Sequence, residues 1–232
     1  MKTIGLLGGT GWESTVEYYK IINREIANKL GVEHSAKIIL FSIDFIEIRS
    51  RIDKNDFEGL GNFITETAKN IEAAGAECLV VCANTLHMFA EQVSNKISIP
   101  LIHITDATAA VLKKNNFKKA GLLGTRPTME MPFYKNRLKE KHGIDVIIPE
   151  EDDLINIHKT ITTELLHGIF KPKTKAFYLS VMEKMTKLGA ECIILGCTDI
   201  PLLLNQSDTK IILLDTMEIH AKAAVEFALN DK

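Results

Sequence analysis

The sequence is short of aromatic residues, of net charge and of long apolar runs. Aromatic residues make up 6% of its 232 positions, with one Trp, and the formal net charge is −2. That charge provides no broad basic field for nucleic acid. No apolar run approaches the roughly 20 residues of a membrane helix. We therefore expect neither a nucleic-acid nor a membrane partner, and the 46% hydrophobic and 25% charged residues are typical of a soluble globular protein.

Cysteine is also scarce. Cys78, Cys82, Cys192 and Cys197 are too few for a disulfide scaffold, and they lack the paired C-x-x-C spacing of zinc sites. His87 lies five positions after Cys82, but one Cys and one His make a poor metal site, so no metal is predicted. The apolar start of the chain breaks into glycines, which indicates a first β-strand and not a signal peptide. We expect a cytoplasmic protein with reduced thiols.

Short apolar runs alternate with longer amphipathic segments along the whole chain. This alternation predicts an α/β fold with mostly parallel sheets covered by helices. Strands are predicted near residues 3–7, 37–42, 77–82, 99–102, 119–123, 144–148, 191–196 and 210–214.

The second half of the sequence repeats the first. Three segments recur in the same order about 115 residues later, a period that indicates duplicated domains and not a solenoid. We predict two similar domains, residues 1–102 plus 215–232 and residues 103–214, packed closely without a linker. The matching segments are 4–8 with 120–124, 75–82 with 189–197, and 102–107 with 214–219.

Two cysteines occupy equivalent places in this repeat. Cys82 and Cys197 each end a predicted strand, and ligands of parallel sheets bind at the carboxyl ends of strands. Polar residues follow both, which predicts helix N-termini that lower the thiol pKa from about 8.5 towards neutrality. Cys78 and Cys192 lie within the strands and are interpreted as core.

The chain resembles the aspartate/glutamate racemases over nearly its full length. That resemblance implies two α/β domains related by pseudo-twofold symmetry, with the active site in the cleft between them. It also implies catalysis without pyridoxal phosphate, metal or nicotinamide, a homodimer, and a C-terminal helix near 216–229 that returns to the first domain. The residues that carry it are Gly8–Thr15 with Tyr18 and Tyr19, Ser42–Phe45, Cys82–Thr85 with His87, Leu123–Thr125 and Leu195–Pro201.

By the same resemblance, Cys82 and Cys197 are the acid/base pair of an amino-acid racemase acting on aspartate or glutamate. Inversion needs one group to remove the α-proton from one face and another to deliver a proton to the opposite face, which explains the need for two thiols. Asp199 is expected to support Cys197. The residues expected to bind the amino-acid substrate are Thr10, Arg49, Asn84, Thr85, Thr125, Lys171 and Thr198.

Two departures from the family pattern leave the substrate open. Asp199 stands where the family usually has Glu after Gly-Cys-Thr, and Thr10-Gly11 stands where many members have Met-Ser. The alternatives are a broader-specificity racemase and a non-catalytic amino-acid-binding protein. A dinucleotide-binding enzyme is disfavoured, because Ser14 occupies the place of the third glycine of G-x-G-x-x-G.

Overall fold

The computed structural model describes residues 1–230 as two compact units. Unit 1 comprises residues 1–104 and 220–230, and unit 2 comprises residues 105–219. The chain therefore passes between units at 104/105 and 219/220, against predicted boundaries at 102/103 and 214/215. Among the described residues, no helix is both long and apolar enough to cross a membrane.

Each unit contains one parallel sheet. The strand order is β2-β1-β3 in unit 1 and β5-β4-β6-β7 in unit 2, and all pairs between named strands of the described chain are parallel. The predicted α/β class with parallel sheets is confirmed. The strands are β1 (Ile4–Gly8), β2 (Ile38–Ser42), β3 (Cys78–Val81), β4 (Lys119–Gly124), β5 (Asp145–Ile147), β6 (Cys192–Gly196) and β7 (Leu213–Asp215).

Helices connect the strands and cover the sheets. The α-helices are α1 (Trp12–Leu30), α2 (Phe45–Asp53), α3 (Phe57–Ala73), α4 (Ala90–Ser94), α5 (Ile104–Lys114), α6 (Arg126–Glu130), α7 (Pro132–Asn136), α8 (Glu151–Thr163), α9 (Pro172–Lys187), α10 (Ile200–Leu203) and α11 (Thr216–Leu229). Short 3₁₀ turns occupy Thr85–Phe89, Leu165–His167 and Gln206–Asp208, and a π turn occupies Arg137–Lys141.

The predicted C-terminal helix is present over the predicted residues, as α11. From His220 onward it belongs to unit 1. There the carbonyl of Ala228 accepts a hydrogen bond from the Lys2 N–H at 2.9 Å, which ties the end of the helix to the start of the chain.

The repeat seen in the sequence is also a repeat of strand register. Ile4 pairs with Cys78 in unit 1, and Ala120 pairs with Cys192 in unit 2. At the carboxyl edge the repeat is offset by one residue. The β4–β6 ladder has a further pair, Gly124 with Gly196, before the second candidate cysteine.

The predicted strand at 99–102 is reduced to one bridge, in which the Leu79 N–H donates to the Pro100 carbonyl and the Ile102 N–H donates to the Leu79 carbonyl, both at 2.9 Å. Only Leu101 forms an isolated bridge there, with Leu79. Pro100 has no N–H to donate, and the Ile99 N–H bonds the Glu72 carboxylate instead of a strand. The helix that begins at Ile104 ends the segment.

The last strand begins three residues later than predicted, because a turn occupies the backbone before it. The Ile211 N–H bonds the Thr209 hydroxyl, and the Ile211 carbonyl accepts from the Gln206 amide. These groups are therefore not free to form a ladder before Leu213.

Gly9 shapes the turn between β1 and α1. Its φ of +84° favours glycine, and a Cβ built there would lie 2.1 Å from the Ile43 carbonyl oxygen. Its N–H donates to the Thr15 hydroxyl at 3.0 Å. The turn that carries Thr10 therefore depends on a residue without a side chain.

Gly9→Ala is expected to lower the free energy of unfolding by about 3 kcal/mol, from backbone strain plus the clash. Gly75→Ala is the matched control, because Gly75 has a φ of +100° but nothing within 4 Å of its would-be Cβ. It should cost about 1 kcal/mol, from strain alone. Urea unfolding of both variants measures the difference, and equal losses would contradict the role given to the clash.

Candidate active site

In unit 1, the carboxyl ends of β1 and β3 bring Cys82 and Thr10 together. The Cys82 N–H extends the ladder by donating to the Leu7 carbonyl at 2.9 Å. The Thr10 hydroxyl donates to the Cys82 carbonyl at 3.2 Å. The turn after β1 and the turn after β3 are therefore joined directly beside the thiol.

The Cys82 thiol is fully buried. Its Sγ makes a weak hydrogen bond to the Val80 carbonyl at 3.9 Å. Burial raises the pKa of Cys82 well above its usual value. The expected lowering towards neutrality is wrong here, because removal from water disfavours the thiolate and only a five-residue 3₁₀ turn follows.

Asn84 and Thr85 continue the chain from Cys82. Asn84 is buried and immediately precedes the 3₁₀ turn, and its carbonyl accepts a hydrogen bond from the His87 N–H at 3.1 Å. Its side chain makes no capping hydrogen bond to that turn. Thr85, the first residue of the turn, is half-buried. Both residues thus lie within three positions of the thiol, at the same end of the sheet.

In unit 2, Cys197 directly follows β6 and is 7% exposed. Its Sγ donates to the Asp199 Oδ2 at 3.6 Å. Burial and then the Asp199 charge raise the pKa of Cys197, outweighing the backbone N–H groups of Asp199 and Ile200 that lower it. The expected low pKa is wrong for this thiol too. Thr198 and Asp199 are buried beside it.

Thr125 lies at the same edge of the unit 2 sheet. It follows β4, whose last residue Gly124 pairs with Gly196 directly before Cys197. The Thr125 hydroxyl hydrogen-bonds that of Thr128 at 3.1 Å. Thr128 is a buried residue of this edge that the sequence analysis did not single out.

A family model described as Asp/Glu/Hydantoin racemase matches residues 7–224. The chain belongs to this racemase family. A provisionally assigned Asp/Glu racemase structure from Yersinia pestis is 44% identical, with a TM-score of 0.92, and the match covers 99% of this chain and 100% of that one. A structure of an aspartate racemase homologue from Pyrococcus horikoshii is 33% identical, with a TM-score of 0.84 and coverage of 99% and 100%.

Another relative of this racemase is the broad specificity amino-acid racemase RacX of Bacillus subtilis. It is 26% identical over 174 residues, which are 73% of each chain. The Asp/Glu racemase structures to which this chain is similar have two α/β domains, in agreement with the two compact units of this chain. These relatives are named for different substrates, so membership of the family indicates racemisation but not which amino acid is racemised.

In this racemase, both predicted cationic residues are engaged with carboxylates. The Arg49 Nε donates to Asp53 at 2.9 and 3.1 Å, one turn along α2. The Lys171 Nζ donates to Glu164 at 2.9 Å. Lys171 also lines two surface cavities of unit 2, of about 440 and 370 Å³. Each cation therefore already has an acidic partner.

Two groups near the racemase thiols were not predicted. Tyr178, in α9, is buried, and its hydroxyl hydrogen-bonds Thr160 at 3.1 Å. Burial raises the pKa of Tyr178, the Thr160 hydrogen bond lowers it, and a thiolate at Cys197 acts to raise it. The second group is a set of three buried histidines around His87. No sequence pattern distinguishes Tyr178 from an ordinary core residue of an amphipathic helix.

Proposed function

We propose that the protein is a cofactor-independent racemase of aspartate or glutamate, with Cys82 and Cys197 as its two bases. The observation that carries this proposal is the repeat itself. In each unit a buried thiol directly follows the strand that pairs with the unit's first strand, β3 beside β1 and β6 beside β4, at the carboxyl edge of the sheet. Cys78 and Cys192 also repeat, but they lie inside the strands, where packing alone accounts for them.

The proposed reaction removes the α-proton from one face of the α-carbon and adds a proton to the opposite face. One cysteine, as thiolate, takes the α-proton, and the other, as thiol, delivers its proton to the opposite face. The C–H bond on one face breaks, its electron pair stays on the α-carbon, and that pair forms the new C–H bond. Turnover leaves the two cysteines with exchanged protonation states, ready for the reverse direction.

The thiols of the free chain are held as neutral groups, since the pKa of each is raised. Catalysis therefore requires one of them to lose its proton. Cys197 is already hydrogen-bonded to the Asp199 carboxylate, which we propose orients the thiol. This chemistry needs reduced cysteines, and we propose the cytoplasm as its location on that ground.

Hydroxyl and amide donors at the carboxyl ends of the strands in both sheets are proposed to bind the α-carboxylate. Without a cofactor to delocalise the carbanion, the carboxylate must carry the developing charge, and preorganised donors stabilise it. The residues given this role are Thr10, Asn84, Thr85, Thr125 and Thr198.

Arg49 and Lys171 are proposed to select an acidic side chain. Their present partners, Asp53 and Glu164, show that each can already hold a carboxylate in this fold. A substrate carboxylate would take over one of these contacts, and an arginine can grip it with two parallel hydrogen bonds. Lys171 would contribute a point charge.

Arg49→Ala is expected to reduce kcat/KM for acidic substrates about tenfold, with little change for neutral amino acids. Arg51→Ala is the matched control, because Arg51 lies two residues on and stacks on Phe63, 4.5 Å from the ring centroid. Kinetics on aspartate and alanine with both variants measure the selectivity. Equal losses for the two substrates would show that Arg49 does not select the acidic side chain of the substrate.

A chiral assay of the purified protein tests the proposed function. The protein is dialysed against EDTA without pyridoxal phosphate and given separate L- and D-amino acids. We expect both enantiomers of aspartate or glutamate to converge on the racemic mixture. Activity that appears only on addition of pyridoxal phosphate or a metal would overturn the mechanism, and binding without turnover would indicate an amino-acid-binding protein.

A broader substrate range is the second candidate, favoured by the similarity to the Bacillus subtilis broad specificity racemase. The same assay separates the two candidates. Turnover of neutral or basic amino acids at rates comparable to those of aspartate and glutamate would support the broader enzyme.

A homodimer is the assembly we propose, formed through the exposed apolar edge of unit 1. Trp12 and Tyr19 on one face of α1 are 66% and 52% exposed, and Leu40 on β2 is 44% exposed. The Ala36 N–H bonds Asn23 on that same face, so the face borders the chain entering β2. In the described chain β2 pairs only with β1, and an unpaired apolar edge can meet its own copy across a twofold axis.

Light scattering on Tyr19→Glu tests this surface. A charge on the buried face of a dimer should dissociate it into monomers. Ile155→Glu, a matched apolar-to-charged change on α8 of unit 2, should remain dimeric, since Ile155 is 43% exposed but outside the proposed surface. A dimeric Tyr19→Glu protein, or a monomeric parent protein, would refute the proposal.

A further inference from the structure

Three buried histidines of unit 1 have no part in the proposed proton transfer. His87 and His220 are 3% and 0% exposed, and His103 is 9% exposed. The His87 ring centroid lies 4.7 Å from that of His103 and 5.5 Å from that of His220. Within the described residues, no group of three or more His, Cys, Asp or Glu is arranged to hold a metal ion. The cluster needs another explanation.

The hydrogen bonds of His87 determine its tautomer. The Ile104 backbone N–H can only donate, so His87 Nε2 accepts from it at 3.2 Å. Nδ1 therefore carries the proton and donates to the Ala83 carbonyl at 2.8 Å. Both ring nitrogens of the neutral imidazole are used, so His87 offers neither a base nor a ligand.

These two bonds join functionally different parts of the chain. Ala83 is the residue directly after Cys82, and Ile104 is the last residue of unit 1 before the chain crosses into unit 2. The His87 imidazole thus connects the Ala83 carbonyl, next to Cys82, to Ile104 at the end of this part of unit 1.

His220 makes a similar connection where the chain returns to unit 1. It is the first residue back in unit 1, and its Nε2–H donates to the Ile102 carbonyl at 2.6 Å. The Tyr18 hydroxyl then donates to Nδ1 at 2.9 Å. Burial, with a smaller effect of His87, lowers the pKa of His220 to about 3, so the ring stays neutral at physiological pH.

We propose that His87 is a positioning residue for Cys82, an inference that rests on the proposed function. The backbone N–H and carbonyl of Cys82 are hydrogen-bonded to Leu7 and Thr10. His87 donates to the carbonyl of the next residue, Ala83. Without a donor to the Ala83 carbonyl, that peptide rotates and the thiol moves relative to the substrate. Small displacements of a reacting group reduce rates steeply.

Two substitutions separate the two hydrogen bonds. His87→Asn keeps a donor near the Nδ1 position, and so keeps the contact with Ala83. His87→Gln keeps an acceptor near the Nε2 position, and so keeps the contact with Ile104 but loses the one beside Cys82. We expect His87→Gln to impair the function of Cys82 and His87→Asn largely to retain it.

The test follows α-proton exchange in deuterated water in two backgrounds. In Cys197→Ser protein, where Cys82 is the remaining thiol base, His87→Gln should slow exchange about tenfold or more. In Cys82→Ser protein the same substitution should leave exchange within twofold. Equal slowing in both backgrounds, as from general loss of structure, or no slowing in either, would overturn the proposal.

A second measurement reads the position of the thiol whether or not the protein racemises amino acids. With all cysteines present, His87→Gln should increase the rate of Cys82 alkylation by iodoacetamide relative to that of Cys197, followed peptide by peptide in a mass spectrometer. His87→Asn should restore the parent ratio. An unchanged ratio in His87→Gln would refute the positioning role, while a changed ratio in a protein without racemase activity would refute only the proposed function.

Discussion

Cys82→Ser and Cys197→Ser are each expected to reduce racemisation about 10³-fold or more. A serine hydroxyl has a far higher pKa than a thiol, so it cannot supply the base on its face of the α-carbon. Because the mechanism needs a group on each face, loss of either should be as damaging as loss of both. The measurement is the rate of approach to the racemic mixture from each enantiomer.

Cys78→Ala and Cys192→Ala provide the matched controls. Both cysteines are buried, and both lie four or five positions before a proposed catalytic thiol. The controls should lose some stability through small cavities but retain racemisation within a few-fold. Near-parental racemisation by either serine variant would contradict the two-base mechanism. Losses of similar size in the alanine variants would indicate that the serine variants lose activity because they fold poorly.

Activity is expected to fall as pH falls, with kcat/KM about a hundredfold lower at pH 6 than at pH 8. The pKa of both thiols is raised in the free chain, so throughout this range each is almost entirely protonated. Each unit of pH below the thiol pKa therefore reduces the thiolate fraction tenfold. The substrate carboxylates stay ionised over the same range and do not contribute to the slope.

Asp199→Asn tests the cause of this slope. The Asp199 charge raises the pKa of Cys197, so its removal should move the rise of kcat/KM to lower pH in the direction that uses Cys197 as base. The variant also weakens the hydrogen bond that orients the Cys197 thiol, so its maximum rate should fall while the profile shifts. A kcat/KM independent of pH from 6 to 8 would contradict the assignment of a high-pKa thiol as base.

The sequence was sufficient to predict the parallel α/β class, because the apolar runs and their repetition reflect strand burial directly. Cys82 and Cys197 could be placed at strand ends for the same reason. The segment 99–102 could not be predicted correctly, since whether Ile99 pairs with a strand depends on the position of Glu72 in the fold. The apolar residues of this segment do not indicate that a carboxylate distant in sequence takes the Ile99 N–H.

The direction of the thiol pKa shifts was the larger error. The residues after Cys82 and Cys197 do suggest helix N-termini, and two backbone N–H groups do lower the pKa of Cys197. Burial of both thiols outweighs that effect, and burial depends on residues distant in sequence. The same holds for His87, whose partner Ile104 lies on another element.

The most direct test of the two-base mechanism is stereospecific proton exchange by the two serine variants. Each variant keeps one base, so in deuterated water it should exchange the α-proton of one enantiomer slowly and without inversion. The account predicts opposite preferences, with one variant exchanging only the L-amino acid and the other only the D-amino acid, followed by NMR. Exchange of the same enantiomer by both variants, or of both enantiomers by either, would contradict the placement of Cys82 and Cys197 on opposite faces of the substrate.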